Sequence, residues 1–144
     1  MNVYDVMTVH PGVILPKAPL AEALDQMRAL GCHHLPVISA EQHLIGILSF
    51  YDCQRALGDL LKGIEQPQNE KLARETCVAS AMTPAPIVVE PDTSADEAAR
   101  LMLEHVIGCL PVMRGETLVG IITRSDLLMA FMNLSQKSVR QPYP

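Results

Sequence analysis

The stretch "LPVISAEQHLIGILSFYD" occupies residues 35–52, and a closely similar stretch, "LPVMRGETLVGIITRSD", occupies residues 110–126. Each contains two short apolar runs around a polar turn, which predicts two antiparallel strands joined as a hairpin. The second run ends at a hydroxyl residue, Ser49 or Thr123, with an aspartate three residues later. That spacing is typical of the first turn of a helix. The chain therefore encodes a strand hairpin followed by a helix, and it does so twice.

The duplication extends beyond these two stretches. A shift of 75 residues aligns the segments before the hairpin turn, and a shift of 74 aligns those after it. Aligned positions include Met7-Thr8 with Met82-Thr83, Glu22-Ala23 with Glu97-Ala98, Met27 with Met102, and Ala56 with Ala130. Many matches in one order indicate a repeated unit. Because units of about 70 residues bury little surface alone, we expect both to share one core.

Each unit has the same predicted elements. It begins with an extended stretch, residues 13–15 or 87–89, followed by a proline that disfavours helix before it. Apolar residues then recur at helical spacing, and the hairpin and a second helix follow. The predicted fold class is α/β (α+β), with two β-α-β-β-α repeats. The expected boundaries are repeat 1 at 1–60, a linker at 61–76, repeat 2 at 77–134 and a mobile tail at 135–144.

Composition excludes several classes of function. Apolar residues make up 49% of the chain and charged residues 19%, and the formal charge of −5 comes without a basic run. We therefore expect no nucleic-acid partner. No apolar run reaches membrane-spanning length, and four cysteines without a CxxC pair suit reduced thiols. A soluble, cytoplasmic protein without a membrane partner is expected. The cluster "CHH" at residues 32–34 has no second cluster at ligand spacing, so no metal site is expected.

The repeated hydroxyl and aspartate pairs, Ser49 with Asp52 and Thr123 with Asp126, have two interpretations. In the first, each pair only caps its own helix. In the second, the strand end and helix start form a crevice in which the carboxylate accepts hydrogen bonds from a ribose diol. Apolar side chains of neighbouring strands would then enclose a base. The residues alone leave both interpretations open.

Two tandem units with this order of motifs resemble a pair of CBS domains, which are named after cystathionine β-synthase; the pair is often called a Bateman module. The resemblance covers residues 3–131. It implies that the two repeats pack as a pseudo-twofold CBS pair. It also implies two clefts between the repeats that bind AMP, ADP, ATP or S-adenosylmethionine as a regulatory ligand.

The resemblance also assigns residues to the clefts, each drawing on both repeats. The preferred cleft, called here the Asp126 cleft, would contain Asp126, Thr123, Arg124, Thr8, Pro11, Val13, Cys32 and His33. The second, the Asp52 cleft, would contain Asp52, Ser49, Thr83, Pro86, Val88, Ile107, Gly108 and His34. We expect the Asp126 cleft to bind better, because Arg124 offers phosphate a guanidinium where the first repeat has Phe50.

No nucleophile with a base, paired carboxylates, P-loop or GxGxxG motif is evident, so we expect no enzyme and no required cofactor. The leading hypothesis is a stand-alone regulatory module that acts on an unidentified effector protein by a ligand-dependent population shift. The alternative is a ligand-free dimerisation or interaction scaffold. It is favoured by "LLMAFMNL" at residues 127–134, a helix too apolar for one solvent-exposed face, which predicts a homodimer. The other interpretation is that packing between the two repeats of one chain buries this helix.

Overall fold

A computed structural model of the chain describes residues 1–58 and 66–137. The helices in these ranges are α1 (Val3–Val6), α2 (Leu20–Leu30), α3 (Phe50–Leu57), α4 (Gln66–Glu75), α5 (Val78–Ala81), α6 (Ala95–His105) and α7 (Arg124–Lys137). The strands are β1 (Thr8–Val9), β2 (His34–Ile38), β3 (Leu44–Ser49), β4 (Thr83–Pro84), β5 (Cys109–Arg114) and β6 (Thr117–Thr123). The predicted α/β class and the repeated hairpin are confirmed. The extended stretches at 13–15 and 87–89 form only single parallel bridges, Ile14 with Val37 and Val89 with Val112.

Two three-stranded sheets form: the first sheet has the strand order β2-β3-β4, and the second sheet has the order β1-β6-β5. Each sheet therefore contains the hairpin of one repeat and a two-residue strand from the other. In the second sheet, Thr8 pairs with Ile121, and in the first, Thr83 pairs with Ile47. A Cβ atom on Gly120 would lie 2.9 Å from the Thr8 carbonyl oxygen, so glycine permits this close approach. The exchanged strands join the repeats into one body.

Three buried clusters hold the sheets and helices together. The first cluster packs α2 and α3 against β2 and β3 and includes Leu20, Leu35 and Leu48. The second packs α6 against β5 and β6, with Leu110 and Ile122. Val3 of α1 belongs to the second cluster and Val78 of α5 to the first, so the cores follow the exchanged strands. The third cluster, Ile47, Cys109 and Ile121, joins the two sheets.

Helix α4 lies inside the segment predicted as a linker. It packs on α2 and α3, and Ala73 is buried in the first core cluster. Residues 61–65 of that segment lie outside the described residues. At the other end, α7 extends to Lys137 and so includes the first residues of the predicted tail, whose remainder at 138–144 is also outside the described residues. None of the described helices combines the length and apolarity needed to cross a bilayer.

Candidate functional site

The two aspartates begin α3 and α7 as capping residues. Ser49 N–H donates to Asp52 Oδ2 at 2.9 Å, and Asp52 N–H donates to Ser49 Oγ at 3.0 Å. In the second repeat, Thr123 N–H donates to Asp126 Oδ2 at 2.8 Å, and Asp126 N–H to Thr123 Oγ1 at 3.3 Å. The helix-capping interpretation therefore holds for both pairs. Capping uses only the Oδ2 atom of each carboxylate, so the Oδ1 atom of each has no part in it.

The Oδ1 atoms of the two carboxylates have different surroundings. Asp52 is buried, and its Oδ1 accepts a hydrogen bond from Arg55 Nη2 at 2.7 Å. The Arg55 guanidinium also lies over the Tyr51 ring, 5.2 Å from its centroid. Met129 stands where Arg55 would fall in the second repeat, and Asp126 is only half-buried. Within the described residues, Asp126 Oδ1 has no hydrogen-bond partner and can accept donors from a ligand.

Strand exchange brings Thr8 to the same face as the start of α7. Thr8 pairs with Ile121, so both side chains point to one face, and Thr123 points to that face two residues later. Ile121 packs on Ile47 and Cys109 across the contact between the sheets, so this face looks toward the first repeat. Thr8 and Thr123 are therefore diagonal neighbours on the inter-repeat face beside Asp126.

The same relation holds in the first sheet. Thr83 pairs with Ile47, and Ser49 lies two residues later on the same face. Pro86 is half-buried and Val88 exposed in the segment that continues from β4. Thr83 and Ser49 therefore correspond to Thr8 and Thr123 of the other sheet. They lie beside the Asp52 carboxylate, whose Oδ1 atom already binds Arg55.

Pro11 and Val13, expected in the Asp126 cleft, line a different cavity. It has a volume of about 520 Å³ and lies between the hairpin turns, where residues 41–43 and 116–118 complete its walls. Asp126 does not line this cavity. The chain after β1 runs toward the hairpin end of the second sheet, which places Pro11 and Val13 at the walls of this cavity. Their place in the Asp126 cleft stays a prediction.

Arg124 points toward residues expected in the Asp52 cleft. Its Nε donates to the Ile107 carbonyl oxygen at 3.4 Å, and its backbone N–H to the Gly108 carbonyl oxygen at 3.1 Å. A Cβ atom on Gly108 would lie 3.5 Å from both Arg124 Nε and His34 Nε2. The guanidinium thus lies beside His34, Ile107 and Gly108, which differs from the sequence-based grouping with Asp126. The sequence offers no signal for the direction in which the first residue of a helix points.

Phe50 occupies the corresponding position in the first repeat. Its N–H donates to the His33 carbonyl oxygen at 2.8 Å, and the two rings lie 5.9 Å apart. Cys32, which precedes His33, is half-buried. Phe50 therefore contacts His33, one of the residues expected in the Asp126 cleft.

Burial shapes the acid–base behaviour of this region. It lowers the pKa of His34, aided by the neighbouring His33 and Arg124 charges and opposed by Asp52. Burial and the Asp52 carboxylate raise the pKa of the Cys53 thiol to about 11. Burial and the Asp126 carboxylate likewise raise the pKa of the Cys109 thiol. Both thiols stay protonated at neutral pH and are weak nucleophiles. No cluster of three or more metal-ligating side chains occurs in the described part of the chain.

The structure consists of two α/β repeats, and each contributes a short strand to the sheet of the other. In both repeats an aspartate lies in the first turn of a helix near the contact between the repeats. This arrangement defines a tandem-repeat module. A family model described as CBS domain matches residues 3–59 and again residues 78–133. The chain therefore belongs to the CBS domain family, and the resemblance found from its motifs is confirmed.

Several relatives resemble the whole chain. The uncharacterized protein YlbB of Bacillus subtilis is 31% identical, over 90% of this chain and 81% of its own length. The CBS domain-containing protein CBSX1 of Arabidopsis thaliana is 30% identical over 89% of this chain, which spans 62% of that protein. The crystal structure of CBSX2 in complex with AMP aligns with a TM-score of 0.74 and 31% identity, covering 93% of this chain and 98% of that one. CBSX2 is also from Arabidopsis thaliana, and the present chain spans 66% of its full length.

Proposed function

We propose that the chain is a regulatory module that binds an adenine nucleotide or related adenosine compound between its repeats, at Asp126. The observation that carries the proposal is the Asp126 Oδ1 atom, which has no partner in the described residues. The Thr123 hydroxyl bonds the other oxygen of this carboxylate, and Thr8 lies on the same sheet face as Thr123. The AMP complex of the 31% identical CBSX2 supports the choice of ligand class. AMP, ADP, ATP and S-adenosylmethionine all contain the adenosine that this arrangement suits.

The chemistry of the site fits a nucleoside better than a simple anion. A carboxylate oxygen accepts from ribose hydroxyls, and a threonine hydroxyl both donates and accepts. Ile121 on the same face is buried against Ile47 and Cys109 and holds the two sheets together behind the site. By the family resemblance, Cys32 and His33 of the first repeat would face the same cleft, with His33 toward a phosphate. In the Asp52 cleft the carboxylate already binds Arg55, so a ribose there must displace a charge-assisted hydrogen bond.

The module transmits ligand binding by shifting the relative arrangement of its repeats. A ligand that contacts both repeats stabilises the arrangement it fits better, and only this differential affinity changes an effector protein. We further propose that the chain is not an enzyme. Its two aspartates cap separate helices and so do not form an acid–base pair, and burial raises the pKa of the Cys53 and Cys109 thiols. Free cysteines throughout the described residues fit a cytoplasmic location.

A thermal-shift experiment tests the proposal. AMP, ADP, ATP, S-adenosylmethionine and, as a base control, GMP are added to the wild type and to Asp126→Asn and Asp52→Asn. An adenosine ligand selective for the folded state raises the melting temperature by mass action. We expect this increase to disappear in Asp126→Asn and to persist in Asp52→Asn, each compared with its own ligand-free protein. No increase with any adenosine compound would contradict the proposal.

A second candidate function is a ligand-free dimerisation scaffold. The observation that favours it is the surface of α7, where Leu128, Met129, Phe131 and Met132 are each more than half exposed. Contiguous exposed apolar surface of this kind marks interaction sites in folded proteins. Homodimer formation without any response to nucleotides in the thermal-shift experiment would place this candidate first.

A further inference from the structure

A cavity of about 520 Å³ lies where the two hairpin turns approach each other. Its walls are residues 10, 11 and 13 after β1, Ile38 at the end of β2, residues 41–43 of the first turn and residues 116–118 of the second. Neither capping aspartate lines it, and neither does a threonine of the proposed nucleoside site. Its volume is within the range of about 300–1,000 Å³ that is usual for small-molecule sites. The polar groups of this cavity therefore have no role in the nucleoside site proposed above.

Two carboxylates without a cationic partner line this cavity. Each hairpin turn contributes one glutamate, Glu41 from the first repeat and Glu116 from the second. Both are exposed, and neither forms an ion pair with lysine, arginine or histidine in the part of the chain that the structure describes. Two carboxylates in one cavity repel each other, whereas a cation bound between them is attracted to both. The cavity therefore favours a positively charged ligand.

The other polar groups of the cavity can also accept hydrogen bonds. His10 and His43 supply imidazole nitrogens, Gln42 supplies an amide oxygen, and Thr117 supplies a hydroxyl. An anion would be repelled by both glutamates, because a carboxylate accepts hydrogen bonds but cannot donate them. A ligand with N–H donors and a positive charge suits the whole set. An ammonium group has both properties.

Apolar side chains complete the walls of the cavity. Ile38 is buried, Leu118 is half-buried, and Val13 is 43% exposed, so apolar surface remains open to a ligand. A bare metal ion makes no use of such walls, and no cluster of three metal-ligating side chains occurs in the described residues. An alkyl chain does use them, since its burial removes apolar surface from water. Glutamates on two repeats and apolar walls between them therefore fit an alkyl chain with an ammonium group at each end.

The two histidines are particular to the first repeat. Ala85 is equivalent to His10, and both residues have a left-handed backbone, with φ of 46° and 50° respectively. The left-handed turn is therefore common to both repeats, whereas the imidazole belongs to the first alone. In the same way, Thr117 is the residue equivalent to His43. The set of acceptors in this cavity does not simply follow from the duplicated fold.

We propose that this cavity binds an aliphatic diamine or polyamine, with one ammonium group at Glu41 and another at Glu116. The alkyl chain between them lies against Val13 and Leu118, and the histidines accept further N–H groups. Because its two ends contact different hairpin turns, the ligand bridges the two repeats. This site goes beyond the nucleoside site and does not depend on it.

Isothermal titration calorimetry at constant ionic strength tests the proposal with butane-1,4-diamine, butylamine and butane-1,4-diol. The wild type should bind the diamine more tightly than the monoamine and should not bind the diol. Glu41→Gln and Glu116→Gln should each weaken diamine binding roughly two- to fivefold, as for a partly exposed ion pair, and the double variant should not bind it. Glu70→Gln removes an exposed carboxylate from α4; as the matched control, it should bind the diamine as the wild type does.

Three results would overturn the proposal: no diamine binding by the wild type, equal affinity for the monoamine, or undiminished binding in the double variant. Displacement of the diamine by Mg²⁺ at equal concentration of charge would show general attraction of counterions and would also overturn it. The double variant should keep the circular dichroism of the wild type and its thermal shift with AMP, since both side chains are exposed. Asp126→Asn should retain diamine binding. Failure of the nucleoside site and failure of this site are therefore observed independently.

Discussion

At the residue scale, one neighbouring side chain separates two otherwise equivalent carboxylates. Asp52 and Asp126 cap their helices with the same backbone hydrogen bonds. Arg55 then occupies the second oxygen of Asp52, whereas the equivalent Met129 leaves that of Asp126 open. The Asp52 carboxylate therefore stabilises the fold, and the Asp126 carboxylate is the one available to a ligand.

The two aspartates should differ in their effect on stability. Asp52→Asn weakens a buried cap and breaks the hydrogen bond with Arg55, so we expect the free energy of unfolding to fall by about 1–3 kcal/mol. Asp126→Asn keeps an acceptor at a half-buried position and should cost about 1 kcal/mol or less. Urea unfolding of both variants measures the difference. Equal losses would show that the Arg55 contact contributes little.

His34 should make stability depend on pH. Its folded-state pKa is lowered below the unfolded value of 6.5, mainly by burial between the repeats, with His33 and Arg124 adding to the effect. As pH falls below 6.5, His34 takes up a proton in the unfolded chain before it does so in the folded protein. The free energy of unfolding is therefore highest above pH 6.5 and decreases as the pH falls from 6.5 to the lower pKa of the folded state. His34→Gln should therefore flatten the unfolding free energy between pH 5 and pH 7, the range about the ordinary histidine pKa. His43→Gln, in an exposed hairpin turn, is the control, and an unchanged slope in His34→Gln would contradict the assignment.

At the element scale, exchange of the short strands is the feature on which the proposed site depends. It places Thr8 on the same sheet as Thr123, although 115 positions separate them in the sequence. The hairpins and the helices α2 and α6 were predictable, because their apolar periodicity extends over many residues. Helices α1 and α5 and strands β1 and β4 were not, since two to four residues carry no periodic signal. Helix α4 is mostly polar and is stabilised by tertiary packing of residues such as Ala73.

The ends of α2 and α6 give a test at this scale. Both end in a left-handed residue, Gly31 with φ of 65° and Val106 with φ of 53°. Left-handed geometry is strained for a β-branched residue, so Val106→Gly should raise the free energy of unfolding by roughly 0.5–1 kcal/mol.

Gly31→Val is the matched reverse change, because no atom lies within 4 Å of its added Cβ and the cost is conformational. Guanidinium unfolding of both variants and the wild type, at one protein concentration, measures the two changes. If Val106→Gly lowered the free energy of unfolding as much as Gly31→Val does, the backbone strain assigned to Val106 would be contradicted.

At the scale of the whole molecule, two similar repeats have acquired different surfaces. The first is covered by α4, and its acidic cap is closed by Arg55; the second exposes an apolar groove, and its acidic cap remains open. The sequence predicts the duplication and the paired capping aspartates. The direction of Arg124 was not predictable, because it depends on the Gly108 and Ile107 carbonyl groups contributed by a neighbouring strand start.

The most direct test of the central claim compares AMP with its 2′,3′-dideoxy analogue, which lacks both ribose hydroxyls. Isothermal titration calorimetry gives the affinity of each compound for the wild type and for Asp126→Asn. A hydrogen bond to a charged group contributes about 1.5–3 kcal/mol, so the wild type should prefer AMP by at least roughly tenfold. Asp126→Asn should lose most of this preference. Equal affinity of the wild type for both compounds, or undiminished preference in Asp126→Asn, would contradict ribose recognition by Asp126.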